Sequence, residues 1–189
     1  LLANAYIYGV NGAASTDLRN GNFVETGDRK FLAAEPAKAK PILDAMGKNI
    51  FHAGGSGNGQ AAKIANNMLL GISMIGTCEA FNLAEKLGLD AQTFFDISST
   101  ASGQCWSMTS YCPAPGPVPT SPANRDYQPG FAVAMMLKDL HLAASAARAA
   151  GAEVTLGEMA EKIYQDLDTR GHGGLDFSGV MKDLQQRLD

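Results

Sequence analysis

The chain has 189 residues, 46% of them apolar and 18% charged, with a formal net charge of −4. That length holds one domain, or a domain and part of another, and that composition excludes a disordered chain. No basic run marks a nucleic-acid or anionic-membrane surface, and no apolar run reaches the roughly 18 residues of a membrane span, so neither partner is expected.

The opening stretch LLANAYIYGVNGAAS carries no basic leader region and no initiator methionine, so the chain reads as a fragment or a processed form. AYIYGV and NFVETG read as short strands between turns. AAEPAKAKPILDAM, 33–46, predicts a short helix that Pro41 would break. KNIFHAGG, 48–55, predicts a terminal strand. From Gln60 to about Leu87 the sequence is rich in Ala, Leu, Met and Ile and lacks proline. It predicts one helix of roughly 40 Å, apolar on most of its circumference and so buried on several sides. Gly71 and Gly76 are its weak points, and Gly88 suits its C-terminus. Residues 89–100 predict a second helix, with Asp90 as N-cap.

Residues 103–130 hold most of the prolines and predict a long irregular segment, of the kind that usually serves a site or an interface. A helix follows over 131–151, closed by Gly151, and another over 155–171, where Thr155 and Glu158 have the spacing of a capping box. DFSGVMKDLQQRL predicts a last helix. The fold class is therefore mainly α with a small mixed segment before it, divided near residues 55 and 56. The three cysteines are odd in number and irregular in spacing, as free thiols in a reducing compartment would be. No CxxC pair or histidine cluster predicts a metal.

The stretch GSGNGQAAKIANNMLLG, 55–71, begins as a phosphate-cradling loop would. Its spacing denies that reading: GxGxxG fails at Ala62, and no GK[ST] follows the glycines. Lys63 and Asn67 instead sit i, i+4 on one helix face among small apolar residues. Such a lysine either snorkels outward or sits in a pocket, where burial lowers its pKa and makes it a proton donor and acceptor near neutral pH. Lys138 interrupts a second apolar helix. The plain reading there is a solvated Lys–Asp edge, with Asp139 facing another side.

GNGQAAKIANNMLLGISMIGTCEAFNLAEKLGLD, SGQCWSMTSYCPAPG and GFAVAMMLKDLHLAASAARAAGA together resemble the C-terminal domain of the β-hydroxyacid dehydrogenase family, whose fold is akin to that of 6-phosphogluconate dehydrogenase. The Cys-Trp pair and the proline-rich loop resemble its 3-hydroxyisobutyrate branch, and the match covers about residues 41–182. The resemblance implies an NAD-dependent oxidation of 3-hydroxyisobutyrate to methylmalonate semialdehyde in valine degradation, with NADP not excluded. It implies Lys63 as the catalytic general acid/base and Asn67 as a substrate-holding and catalytic partner. Lys138, Phe131 and Asp139 fall at the cofactor, and Gly57 and Gly59 would clear space for the substrate. It also implies a homodimer or homotetramer, cytoplasmic in bacteria and in the mitochondrial matrix in eukaryotes.

The chain departs from the family in lacking a GxGxxG loop, so residues 1–55 read as a partial edge of the dinucleotide-binding domain and 56–189 as the helical domain. GVNGA, 9–13, lies near the family's substrate loop, with Ile7 and Tyr8 where Ser and Gly would stand. Two other readings remain: a tartronate semialdehyde reductase-like enzyme, and a non-catalytic helical dimerisation module.

Overall fold

The computed structural model describes residues 5–9, 12–16, 23–25, 49–53 and 57–186. The chain divides into two units, Leu1–Asn66 and Asn67–Asp189. In the first, β1 (Ala5–Gly9), β2 (Gly12–Thr16), β3 (Phe23–Glu25) and β4 (Asn49–His52) form one sheet in the order β3-β2-β1-β4. β1 pairs antiparallel with β2 and parallel with β4. The strands expected in AYIYGV, NFVETG and KNIFHAGG are all present. The helix expected over 33–46 lies outside the described residues.

The helix α1, Asn58–Lys86, starts two residues before the expected point. The remaining α-helices among the described residues are α2 (Ala91–Ser98), the single turn α3 (Trp106–Thr109), α4 (Val133–Ala150), α5 (Thr155–Leu167) and α6 (Val180–Leu184). Asp90 caps α2 as its side chain predicts, accepting from the Thr93 amide at 3.0 Å and the Thr93 hydroxyl at 2.6 Å. Gly151 closes α4 in the left-handed conformation, φ 66°.

Met74, Cys78 and Phe81 run along one face of α1 at intervals of three and four residues, and meet Val133, Met136 and Leu140 of α4 and Tyr164 of α5 in one core. Phe94 docks α2 on this core, edge-on to Phe81 with centroids 4.8 Å apart. The expectation that α1 is buried on several sides does not hold. Leu69 and Leu83 are each 60% exposed, because α1 carries more apolar surface than its neighbours in the fold cover.

Gly71 is not a weak point. A Cβ there would lie 3.2 Å from Leu140 Cδ2 and from Met136 Sδ, so the bare glycine lets α1 and α4 approach closely. Gly76 faces open space.

The segment 103–130 is irregular but tightly tied. The Tyr127 hydroxyl donates to the Pro113 carbonyl at 2.7 Å, and the Asn124 amide donates to the Val118 carbonyl at 2.8 Å. Met108, Cys112, Pro113 and Pro122 are buried.

The capping box at Thr155 does not form. Val154 is the cap residue, and its carbonyl takes the Glu158 amide at 2.9 Å, the very donor that a Thr155 cap would need. The last expected helix is shortened. Phe177–Gly179 is a 3-10 turn, and α6 follows for five residues until Gln186 turns left-handed at φ 55°. All three cysteines are free.

Candidate functional site

The close α1–α4 approach at Gly71 fixes what lies one turn earlier on α1. Asn67 Nδ2 donates to Asp139 Oδ2 at 2.6 Å, across from one helix to the other. Asp139 precedes Leu140, the residue packed on Gly71, so the same helix crossing that builds the core brings the two polar side chains together.

Asp139 is 3% exposed, which corrects the reading of residues 138 and 139 as a solvated edge. A carboxylate this deep needs partners. Its Oδ2 has Asn67, while its Oδ1 is buried and accepts no hydrogen bond. Lys138 Nζ stands 3.7 Å from that Oδ1, on a side chain 44% exposed. One helix thus presents a cation at the surface and, beside it, a buried acceptor with a lone pair to spare.

Lys63 lies one turn before Asn67 on α1 and is half-buried. At the start of that helix Gly57 takes φ 85°, a left-handed value that favours glycine, and its carbonyl accepts the Ala61 amide at 2.9 Å. Gly59 is buried. Lys63 and both glycines belong to the first unit, Asn67, Lys138 and Asp139 to the second. Phe131 sits just before α4. Its contacts run to Phe177, edge-on at 5.7 Å, and its amide donates to Asp176 at 3.0 Å.

Two features of the candidate site and its surroundings escape a reading of the sequence. One is the depth of Asp139, which the adjacent exposed lysine disguises. The other is Asp176, a fully buried carboxylate in a stretch whose pattern predicts only a helix. The signal for it is the spacing Asp-Phe-Ser, since an aspartate two residues before a serine suits a capping turn. Asp176 Oδ1 accepts the Ser178 amide at 3.0 Å and the Ser178 hydroxyl at 2.6 Å.

Tyr111 donates to Asp176 and stacks on Trp106, so both rings anchor the proline-rich segment. Burial, then the Asp176 charge, pushes the Tyr111 hydroxyl far above its ordinary range, so it remains a proton donor to that carboxylate. Burial also pushes the Cys112 thiol up to about 11 and the Cys78 thiol well above its usual value, which leaves both inert.

Over residues 57–184 the chain matches the family described as NAD-binding of NADP-dependent 3-hydroxyisobutyrate dehydrogenase. The chain belongs to that family, a class of nicotinamide-cofactor proteins. Among relatives, a Mycobacterium tuberculosis protein named "Probable 3-hydroxyisobutyrate dehydrogenase" is 48% identical over 181 residues, which is 96% of this chain and 59% of that protein. The mitochondrial 3-hydroxyisobutyrate dehydrogenase of Drosophila melanogaster is 49% identical over 154 residues, 82% of this chain and 47% of its own length. The solved structure of the Mycobacterium tuberculosis 3-hydroxyisobutyrate dehydrogenase with L-serine superposes with a TM-score of 0.77 at 48% identity, covering 86% of this chain and 54% of that one. The chain therefore spans about half the length of the relatives it matches. Among the described residues, no helix is long and apolar enough to cross a membrane.

Proposed function

We propose that this chain forms the helical part of an NAD-dependent 3-hydroxyisobutyrate dehydrogenase, and that residues 1–55 are the edge of its dinucleotide-binding domain, the helical domain beginning near residue 56. The observation that carries this reading is the Asn67–Asp139 bond. It joins residues from two separate family-like motifs over a buried acceptor, with the Lys138 amine alongside.

The residues suit a nicotinamide dinucleotide. Asp139 Oδ1 is a buried acceptor without a donor, and Lys138 offers a cation to a charged group. Phe131 offers a flat ring, half-buried, for stacking. A bound nicotinamide would supply the hydride acceptor. Lys63 Nζ takes the proton of the substrate hydroxyl, Asn67 holds the substrate while itself fixed by Asp139, and Gly57 and Gly59 leave room for a small 3-hydroxy acid beside the helix start. Oxidation of 3-hydroxyisobutyrate to methylmalonate semialdehyde, a valine-degradation step, fits this set. NADP in place of NAD, and tartronate semialdehyde as a reduced substrate, are the variants that steady-state rates with each pair distinguish.

The assembly proposed is a homodimer or homotetramer, cytoplasmic in a bacterium and in the mitochondrial matrix in a eukaryote. The exposed leucines of α1 favour a second reading, a helical dimerisation module without catalysis. The Lys63→Ala variant separates the two. With the dinucleotide-binding domain present, the enzyme reading expects turnover to fall roughly 10²–10⁴-fold, the range for a general acid/base, with fold and oligomer kept. Unchanged turnover refutes it.

A further inference from the structure

Asp176 is fully buried, and its two oxygens accept five hydrogen bonds. Oδ1 is spent on Ser178. Oδ2 takes the Tyr111 hydroxyl at 2.8 Å, the Gly130 amide at 2.9 Å and the Phe131 amide at 3.0 Å. These donors come from two places far apart in sequence, the end of the Cys-Trp loop and the entry to α4.

The convergence is sterically exacting. A Cβ on Gly130 would stand 2.6 Å from the Tyr111 hydroxyl. Tyr111 cannot swing away, because its ring is stacked on Trp106 at 5.0 Å and packs against Phe177 at 5.3 Å. The backbone around Asp176 holds the same entry. The Phe177 amide donates to the Phe131 carbonyl at 2.8 Å, Val133 to Leu175 at 2.8 Å, and Ala134 to Gly173 at 3.1 Å. The first free amides of α4 are therefore satisfied by this segment, and the direction in which α4 leaves follows from it.

We propose that Asp176 is a positioning residue of the candidate active site: its carboxylate locks Tyr111 and the Gly130–Phe131 backbone together, and so sets where Phe131 presents its ring and where α4 projects Lys138 and Asp139. The inference rests on the reading that those three residues serve the cofactor. Nothing reacts at Asp176 itself, since no substrate-facing atom is left on it.

The test uses Asp176→Asn, which keeps the shape but leaves one acceptor oxygen for donors on both sides. Tyr164→Phe is the control. It removes another hydroxyl buried in the same core, bonded to the Phe177 carbonyl at 3.0 Å, and leaves all five hydrogen bonds of Asp176 in place. In the protein with its dinucleotide-binding domain, Asp176→Asn should raise KM for NAD about tenfold or more, because small displacements of positioning groups are costly. Tyr164→Phe should lower the melting temperature while leaving KM for NAD unchanged. Equal effects of the two variants on KM, or none, overturn the inference.

Trp106 gives an answer that does not depend on turnover, because it is the only tryptophan of this chain. In the 189-residue chain, Asp176→Asn should free the Tyr111 ring, shift the Trp106 emission to the red and make it easier to quench with acrylamide. An unshifted, equally protected Trp106 overturns the inference. A wild-type protein inactive on every 3-hydroxy acid sinks the proposed function instead, and the Trp106 result still decides whether Asp176 holds Tyr111.

Discussion

Removing the Asn67 side chain should cost far more than an ordinary hydrogen bond. Asp139 is 3% exposed, its Oδ1 accepts no hydrogen bond, and Asn67 Nδ2 at 2.6 Å is the donor on its Oδ2. Asn67→Ala would leave a buried carboxylate with neither oxygen paired in this way, and water has little access to replace the donor. Hydrogen bonds to charged groups contribute about 1.5–3 kcal/mol, and a stranded buried charge adds to the loss. The expected destabilisation is about 2–3 kcal/mol, or a melting point lower by roughly 4–12 °C in a chain of this size. Asp139→Ala removes the buried charge and leaves only a neutral amide unpaired, so it should cost less than Asn67→Ala, and the double variant should cost less than the two single effects added. The assay is urea denaturation of the wild type, both single variants and the double variant. The coupling energy should be about 1.5–3 kcal/mol. A coupling below about 0.5 kcal/mol would show that the bond does not form in solution, and the candidate site would lose its central contact.

Gly71 and Gly76 of α1 should respond in opposite directions. Gly71→Val should destabilise by about 1–3 kcal/mol, since its Cβ already meets Leu140 and Met136 at 3.2 Å. Gly76→Ala, with open space around it, should stabilise by about 0.5–1 kcal/mol, read by thermal melting. Of the three thiols, a native-state labelling reagent should reach Cys105 first and spare Cys78 and Cys112 until the protein unfolds. The raised thiols also set an alkaline limit. The unfolded chain ionises at the ordinary thiol pKa and the folded one higher, so stability is full below the ordinary value and falls as pH climbs towards about 11. Denaturation midpoints that hold flat from pH 8 to 11 would contradict this.

The long helices were legible because their signals are local. A proline-free apolar run, an aspartate before α2 and a glycine after α4 each act within a few residues, and the structure keeps all three. The sequence also exposed Lys63 and Asn67 as sharing a face, which is helix geometry alone. What stayed hidden depends on contacts between distant segments. Nothing near Asp139 says that Asn67 will reach it, so it read as solvated. The spacing at Thr155 permits a capping box, but the backbone of Val154 takes the amide first. Gly71 read as a flaw because its use appears only when Leu140 arrives from another helix. Asp176 read as a helical residue because three of its five donors come from segments distant in sequence, and the other two from the capping turn that replaces the helix.

The entry to α4 is held by a segment that follows it by 46 residues, counted from the Gly130 amide to Asp176. A ribosome delivers the chain from the N-terminus, so α4 emerges before its own starting point can be fastened. Until residues 173–177 clear the exit tunnel, the open amides of Val133 and Ala134 and the Asp176-binding donors have only water to bond. Maturation of this domain thus waits for that stretch to emerge. A nascent chain halted after α5 should hold its helices but be cut readily by protease near Gly130.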